Sequence, residues 1–317
     1  MNRREFIEGA AAVSALGLAG GCRTFGGRPL TAYDDDLIDR SWMWGHASGQ
    51  VDGPNNCWKL DVFKEDYPMT AGAAAFGLPN LNVIRWGNPP LEWTRQFAEM
   101  KRLTWPMCGH PNEKNGRYAD MCEYDFRLLE TLPNLMGFEL DDYFFNNKDA
   151  DIPVLTPKGP AAACPSNFPY ETLAALRRRM DAYRRPLDLR LVFYDGLLER
   201  KNVKSYVPAI DLATTVTYWT WCAKDTNRQE ENFRRYRELA SGKPTFLGVY
   251  LYDFGGEKHM PVGALADQLA FGLEKFRRGD VEGFVFLCSS LCNRDYPAVT
   301  YCRNWIREHT DEKWRSA

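Results

Sequence analysis

The sequence predicts an α/β chain folded as a single (βα)8 TIM barrel behind an N-terminal export signal. Three observations carry this reading. Eight short runs rich in Val, Ile, Phe, Tyr and Trp alternate with longer amphipathic stretches, the pattern of strand–helix units around a parallel sheet. The 317 residues, 44% of them hydrophobic, suffice for one large core. No glycine-rich dinucleotide turn follows the first strand candidate and no phosphate-binding loop appears, which places a doubly wound open sheet second.

Residues 1–30 stand apart from the fold. Arg3 and Arg4, Phe6 two residues on and a weakly apolar Ala/Gly/Leu run match a twin-arginine export signal. The run is too short and too rich in glycine to span a membrane stably. LAGGC ending at Cys22 resembles a lipoprotein box, with Leu18 one place further from the cysteine than usual. The expectation is an exported protein of the periplasm or cell surface, whose only membrane contact is a lipid anchor at Cys22.

The barrel then occupies residues 31–317. Strands are expected at 39–46, 80–87, 102–110, 135–144, 189–196, 211–221, 244–255 and 281–290. Helices are expected at 91–101, 125–132, 170–185, 228–240, 264–279 and 298–309, with Pro169 before a helix start and Gly242 and Gly279 just past helix ends. The Pro- and Ala-rich segment 145–169 follows strand four and would lie over the barrel mouth. The nine cysteines form no CxxC pair, so structural or free thiols are the default. A net charge of −2 argues against a nucleic-acid partner.

A barrel of this kind holds its chemistry at the C-terminal ends of its strands. The predicted ends bring together Trp44 and His46, Arg85 and Trp86, His110, Tyr194 and Asp195, Trp219 and Trp221, and Tyr252 with Asp253. Strand four is the most unusual. In GFELDDYF, Glu139, Asp141 and Asp142 fall within four positions, and carboxylates so crowded repel each other unless something compensates. Alternation puts Phe138 and Leu140 against the helices and Glu139 and Asp141 inside, Asp141 nearer the mouth. Crowding raises the pKa of at least one member, the property a general acid needs.

Aromatic faces with acids suit an oligo- or polysaccharide. Indoles pack on C–H faces of the rings, carboxylates accept from hydroxyls, and glycosidic cleavage needs two carboxyl groups. Simpler roles compete at several positions. Asp195 and Asp142 could cap the following helix or bind loop amides. Trp42, Trp86 and Trp105 could belong to the core, and Arg85 could only neutralise Asp141. No organic cofactor is implied. A divalent cation at Glu139, Asp141 and Asp142 is an alternative, which would suit a sugar isomerase, epimerase or lyase. A non-catalytic glycan-binding lipoprotein is another.

The twin-arginine leader, GFELDDYF on strand four and GVYLYDFG on strand seven together resemble exported glycoside-hydrolase-type barrels of poorly characterised families. The stretch from Met260 to Leu287 is similar to the closing region of such proteins. The resemblance implies an acid on strand four, Asp141 or Asp142, with Glu139 supporting from below, and a nucleophile on strand seven, Asp253. Trp44, Trp86, Trp219 and Trp221 would stack on sugar rings. The chain lacks the Asn-Glu pair of many strand-four acids, the DxxDxDxE run of chitinase-like barrels and a Glu at the end of strand seven.

Overall fold

The computed structural model describes residues 31–46, 67–85, 88–107, 118–144 and 170–316. The leader with Cys22, Trp86, His110, Pro169 and the segment 145–169 lie outside the described residues. Eight parallel strands close into a barrel: β1 (Ser41–His46), β2 (Asn80–Ile84), β3 (Arg102–Pro106), β4 (Leu135–Leu140), β5 (Asp188–Tyr194), β6 (Thr215–Trp219), β7 (Thr245–Tyr250) and β8 (Gly283–Leu287). Each pairs with its sequence neighbours, and β8 closes on β1 through Ser41↔Phe284 and Trp44↔Leu287. Every strand residue is buried, as expected of parallel strands covered on both faces.

Helices α1 (Met69–Ala75), α2 (Tyr118–Thr131), α3 (Tyr170–Asp181), α4 (Val207–Leu212), α5 (Gln229–Leu239), α6 (Val262–Arg278) and α7 (Pro297–Glu308) form the outer layer. Their aromatic side chains meet the outward face of the strands: Phe126 on Phe138, Tyr236 on Phe193 and Trp305 on Phe284. Gly279 ends α6 in the left-handed region at φ 75°, and its amide bonds back to the last turn, the C-terminal signal read from the sequence. No helix among the described residues is long and apolar enough to cross a membrane.

Several boundaries differ from expectation, three of them in ways that shape the barrel. Residues 91–101 form a 3-10 helix, Leu91–Phe97, rather than a full α-helix. The sixth strand starts at Thr215, because Pro208 opens the short helix α4 across the first part of the expected run. The seventh ends at Tyr250; the chain then makes a small antiparallel pair, Tyr252–Asp253 with Lys258–His259.

The barrel interior is filled rather than hollow. At its floor Arg190 is fully buried, donates to Asp188 at 2.7 Å and to the Tyr33 hydroxyl at 2.9 Å, and lies 4.0 Å over the Trp42 ring. One layer up, Asn82, Thr104 and Thr217 surround Glu139. Trp44 and Trp219 meet across the next layer, centroids 5.4 Å apart. Gly248 of β7 makes room for that layer, since a Cβ there would stand 2.1 Å from the Trp219 ring. Gly248→Ala therefore displaces the indole or strains β7. We expect a stability loss of about 1–3 kcal/mol, measurable by urea denaturation, together with changed Trp219 fluorescence.

Candidate active site

Above the Trp44–Trp219 layer lies a cavity of about 390 Å3, lined by Trp44, His46, Asp141, Asp142, Tyr194, Trp219, Trp221, Tyr250, Tyr252, Phe254, Gly255, Glu257 and Leu287. Its size falls within the range of small-molecule sites, roughly 300–1,000 Å3. It sits at the C-terminal ends of the strands, where barrels of this kind carry their chemistry.

The paired carboxylates reach it by different means. Asp141 follows the inward register of β4 that Glu139 sets, so its side chain faces the cavity by alternation. Asp142 would then face away. It adopts a left-handed backbone instead, φ 53°, a conformation Asp tolerates better than most residues. That turn brings a second carboxylate to the same cavity wall. Tyr194, at the end of β5, donates its hydroxyl to Asp142 Oδ1 at 2.9 Å and lies 3.4 Å from Asp141 Oδ1.

Electrostatics separates the pair. Burial raises the Asp141 carboxyl well above the usual range, with the Asp142 and Glu139 charges adding to it. Burial also raises Asp142, but the Tyr194 hydrogen bond works against that rise. Glu139 is pushed up to about 7 by burial, opposed by Arg190 and by hydrogen bonds from Asn82 and Thr104. The two carboxyls compete for a proton, and the stronger upward push on Asp141 favours it as the carrier. Tyr194→Phe removes the bond that favours ionised Asp142. The acidic limb of any activity profile should then move upward by about one pH unit, checked by steady-state rates between pH 4 and 8.

Most of the other expected site residues reach the cavity. Trp44, Trp219, Trp221 and Tyr252 supply walls, with Tyr250 packed between Trp219 and Trp221 at 4.7 and 5.7 Å. His46 is buried there, and desolvation lowers its pKa to about 4, so it is neutral near pH 7. Trp42 and Trp105 are core residues, on the floor and against the helix layer respectively.

Four expected residues are placed elsewhere. Asp253 does not face the cavity: its Oδ1 accepts the backbone N–H of Ala223 at 3.1 Å and of Gly256 at 2.9 Å. The chain has already left the barrel at that point, and the carboxylate serves the turn. Asp195 likewise accepts from Gly196 at 2.8 Å and Trp221 at 3.1 Å, in the 3-10 helix Asp195–Glu199, and burial lifts its pKa to about 6. Arg85 stacks on Trp93, 4.2 Å from its ring centroid, and does not line the cavity. Glu139 is not among the residues that line the cavity; among the described residues no three His, Cys, Asp or Glu side chains group as a metal-ion site.

Sequence reasoning missed Glu257, Phe254 and Leu287 as lining groups. Gly255 and Gly256 were the available signal for Glu257, since a glycine pair after a strand allows the chain to fold back.

No family model matches the chain, and no curated protein matches it. Solved structures do. The catalytic domain of the hyperthermophilic chitinase from Pyrococcus furiosus has a TM-score of 0.51 and 10% identity, covering 85% of this chain and 95% of that one. The GH2 beta-galacturonidase from Eisenbergiella tayi, bound to glycerol, has a TM-score of 0.49 and 11% identity, covering 89% and 52%. The chain therefore spans about half the length of that galacturonidase. At such identities the likeness is one of architecture, and the chain shares its closed (βα)8 barrel with solved glycoside hydrolases.

Proposed function

We propose that this protein is a glycoside hydrolase whose reaction takes place at the Asp141–Asp142 pair. One observation carries the reading: two half-buried, adjacent carboxylates tied to one tyrosine hydroxyl form part of an otherwise largely aromatic cavity at the barrel mouth. A sugar ring would pack its C–H faces on Trp44, Trp219 and Tyr250 while its hydroxyls meet the polar wall. Asp141, whose pKa burial and the neighbouring carboxylates push upward, would protonate the leaving glycosidic oxygen. Asp142 stays the acceptor, held by Tyr194.

The test is release of 4-nitrophenol from a panel of 4-nitrophenyl glycosides. The wild type should hydrolyse at least one, and the Asp141→Asn/Asp142→Asn double variant none above background. Equal rates in both proteins would remove the pair from the mechanism. The activities of the structural neighbours belong to those proteins.

A further inference from the structure

The hairpin beyond β7 is a braced ledge at the rim of the cavity. Tyr252–Asp253 pairs antiparallel with Lys258–His259. Buried Asp253 gives its Oδ1 to the amides of Ala223 and Gly256, which ties the turn to the segment after β6. Gly255 lies against that segment so closely that a Cβ would stand 2.3 Å from Cys222 Sγ and 2.6 Å from the Trp221 ring. Next in the turn, Glu257 takes a left-handed backbone, φ 50°, which glycine would adopt at less cost. Three non-glycine residues among the described residues have positive φ, and two of them, Asp142 and Glu257, line the cavity. Glu257 is exposed, so this strain serves no core packing; its effect is to hold a carboxylate at the cavity edge.

An aromatic path leaves the cavity along the same hairpin. Tyr250 meets Phe254 at 5.4 Å, and Phe254 meets Tyr252 at 5.2 Å. Residues directly opposite in an antiparallel pair share one face of the ribbon, and Tyr252 stands opposite His259. Tyr252 lines the cavity, so the His259 ring, 5.9 Å from it, carries the same wall outward. His259 in turn meets Tyr296, from the segment between β8 and α7, at 4.3 Å and nearly at right angles. Tyr250 and Tyr252 are buried, whereas His259 is exposed and Tyr296 half-buried. The path therefore runs from the cavity into solvent. The cavity itself is closed below by the Trp44–Trp219 layer, so a ligand longer than the cavity leaves at the mouth, where this ledge stands.

We propose that Glu257, His259 and Tyr296 form a second saccharide-binding site on the rim, and that the substrate is a glycan of at least two sugars, one ring in the cavity and the next on the ledge; this rests on the glycoside hydrolase reading above. The rings of His259 and Tyr296 give the C–H groups of the outer sugar an apolar platform, and the Glu257 carboxylate accepts from its hydroxyls. The bracing by Asp253 and Gly255 keeps the platform in place before the ligand arrives, which lowers the cost of binding.

The experiment follows reducing-sugar release from free oligosaccharides of two to five units in the cello, xylo, manno and laminari series. It compares them with glycosyl fluorides of the matching monosaccharides, whose leaving group is too small to reach the rim. His259→Ala, at an exposed position, should lower kcat/KM on the oligosaccharides about 3–10-fold relative to the fluorides, chiefly through KM. Tyr296→Ala should do the same, while Tyr296→Trp, which keeps an aromatic ring, should stay within a factor of about three of the wild type. Glu257→Gly should match or exceed the wild-type urea midpoint and still raise KM for the oligosaccharides. No loss in His259→Ala, or an equal loss on oligosaccharides and fluorides, would overturn the rim site and leave the hydrolase reading intact. A lowered midpoint in Glu257→Gly would assign that residue to the fold and remove it from the site. Where the wild type turns over neither class, the hydrolase reading fails, and calorimetric titration with the same oligosaccharides decides the ledge. Weaker binding by His259→Ala than by the wild type supports it; binding that is unchanged or absent overturns it.

Discussion

Asp141→Asn should cost about 10^2–10^4-fold in kcat/KM on glycosides with alkyl or sugar leaving groups, and far less on 4-nitrophenyl glycosides. The difference follows from the role. A poor leaving group needs the proton that Asp141 supplies, whereas 4-nitrophenolate departs without it. The sign of the pH dependence follows as well. Burial and the charges of Asp142 and Glu139 hold the Asp141 pKa high, so the competent protonated form persists to higher pH than for an ordinary aspartate. Activity should fall as pH rises through that raised pKa, and the variant should lack this basic limb. Rates measured against leaving-group pKa, for both proteins and across pH, check each part. A variant equally impaired on all leaving groups would assign Asp141 to another task.

Arg190→Leu should be the most destabilising single change at the barrel floor, costing about 3–5 kcal/mol. The guanidinium is wholly buried, bonded to Asp188 and Tyr33 and stacked on Trp42. Removing it strands the Asp188 carboxylate, which is left with the hydroxyls of Thr214 and Thr215 at 2.6 and 2.8 Å. Breaking such a pair costs more than never having had it, because the remaining charge stays desolvated. Arg190→Leu/Asp188→Leu should therefore recover part of the loss. Urea midpoints of the two variants and the wild type decide it. A double variant no more stable than the single would show that the cost lies in packing.

The barrel was legible because its signal is distributed. Eight apolar runs had to be strands buried on both faces, and small errors at Thr215 or Tyr250 did not alter their order. Alternation also placed Glu139 and Asp141 on the inner face. The side chain of Asp142 was not legible in the same way. Its direction depends on a left-handed φ that a strand pattern does not encode. Asp253 shows the converse. Its sequence position after an aromatic run reads as a strand-end carboxylate, yet the strand stops at Tyr250 and two amides, Ala223 from the segment after β6 and Gly256 from the following turn, claim its oxygen. Capping by a backbone amide leaves no periodic trace, and the same applies to Asp195. Glu257 was hidden because it arrives at the cavity through a turn rather than along a strand.

The central claim is that this cavity cleaves a glycosidic bond at the strand-four pair. Proton NMR of the freshly formed sugar tests it most directly. The wild type should release a reducing sugar, while the Asp141→Asn/Asp142→Asn variant releases none. Sugar resonances that broaden on binding while no reducing end ever appears would contradict the account.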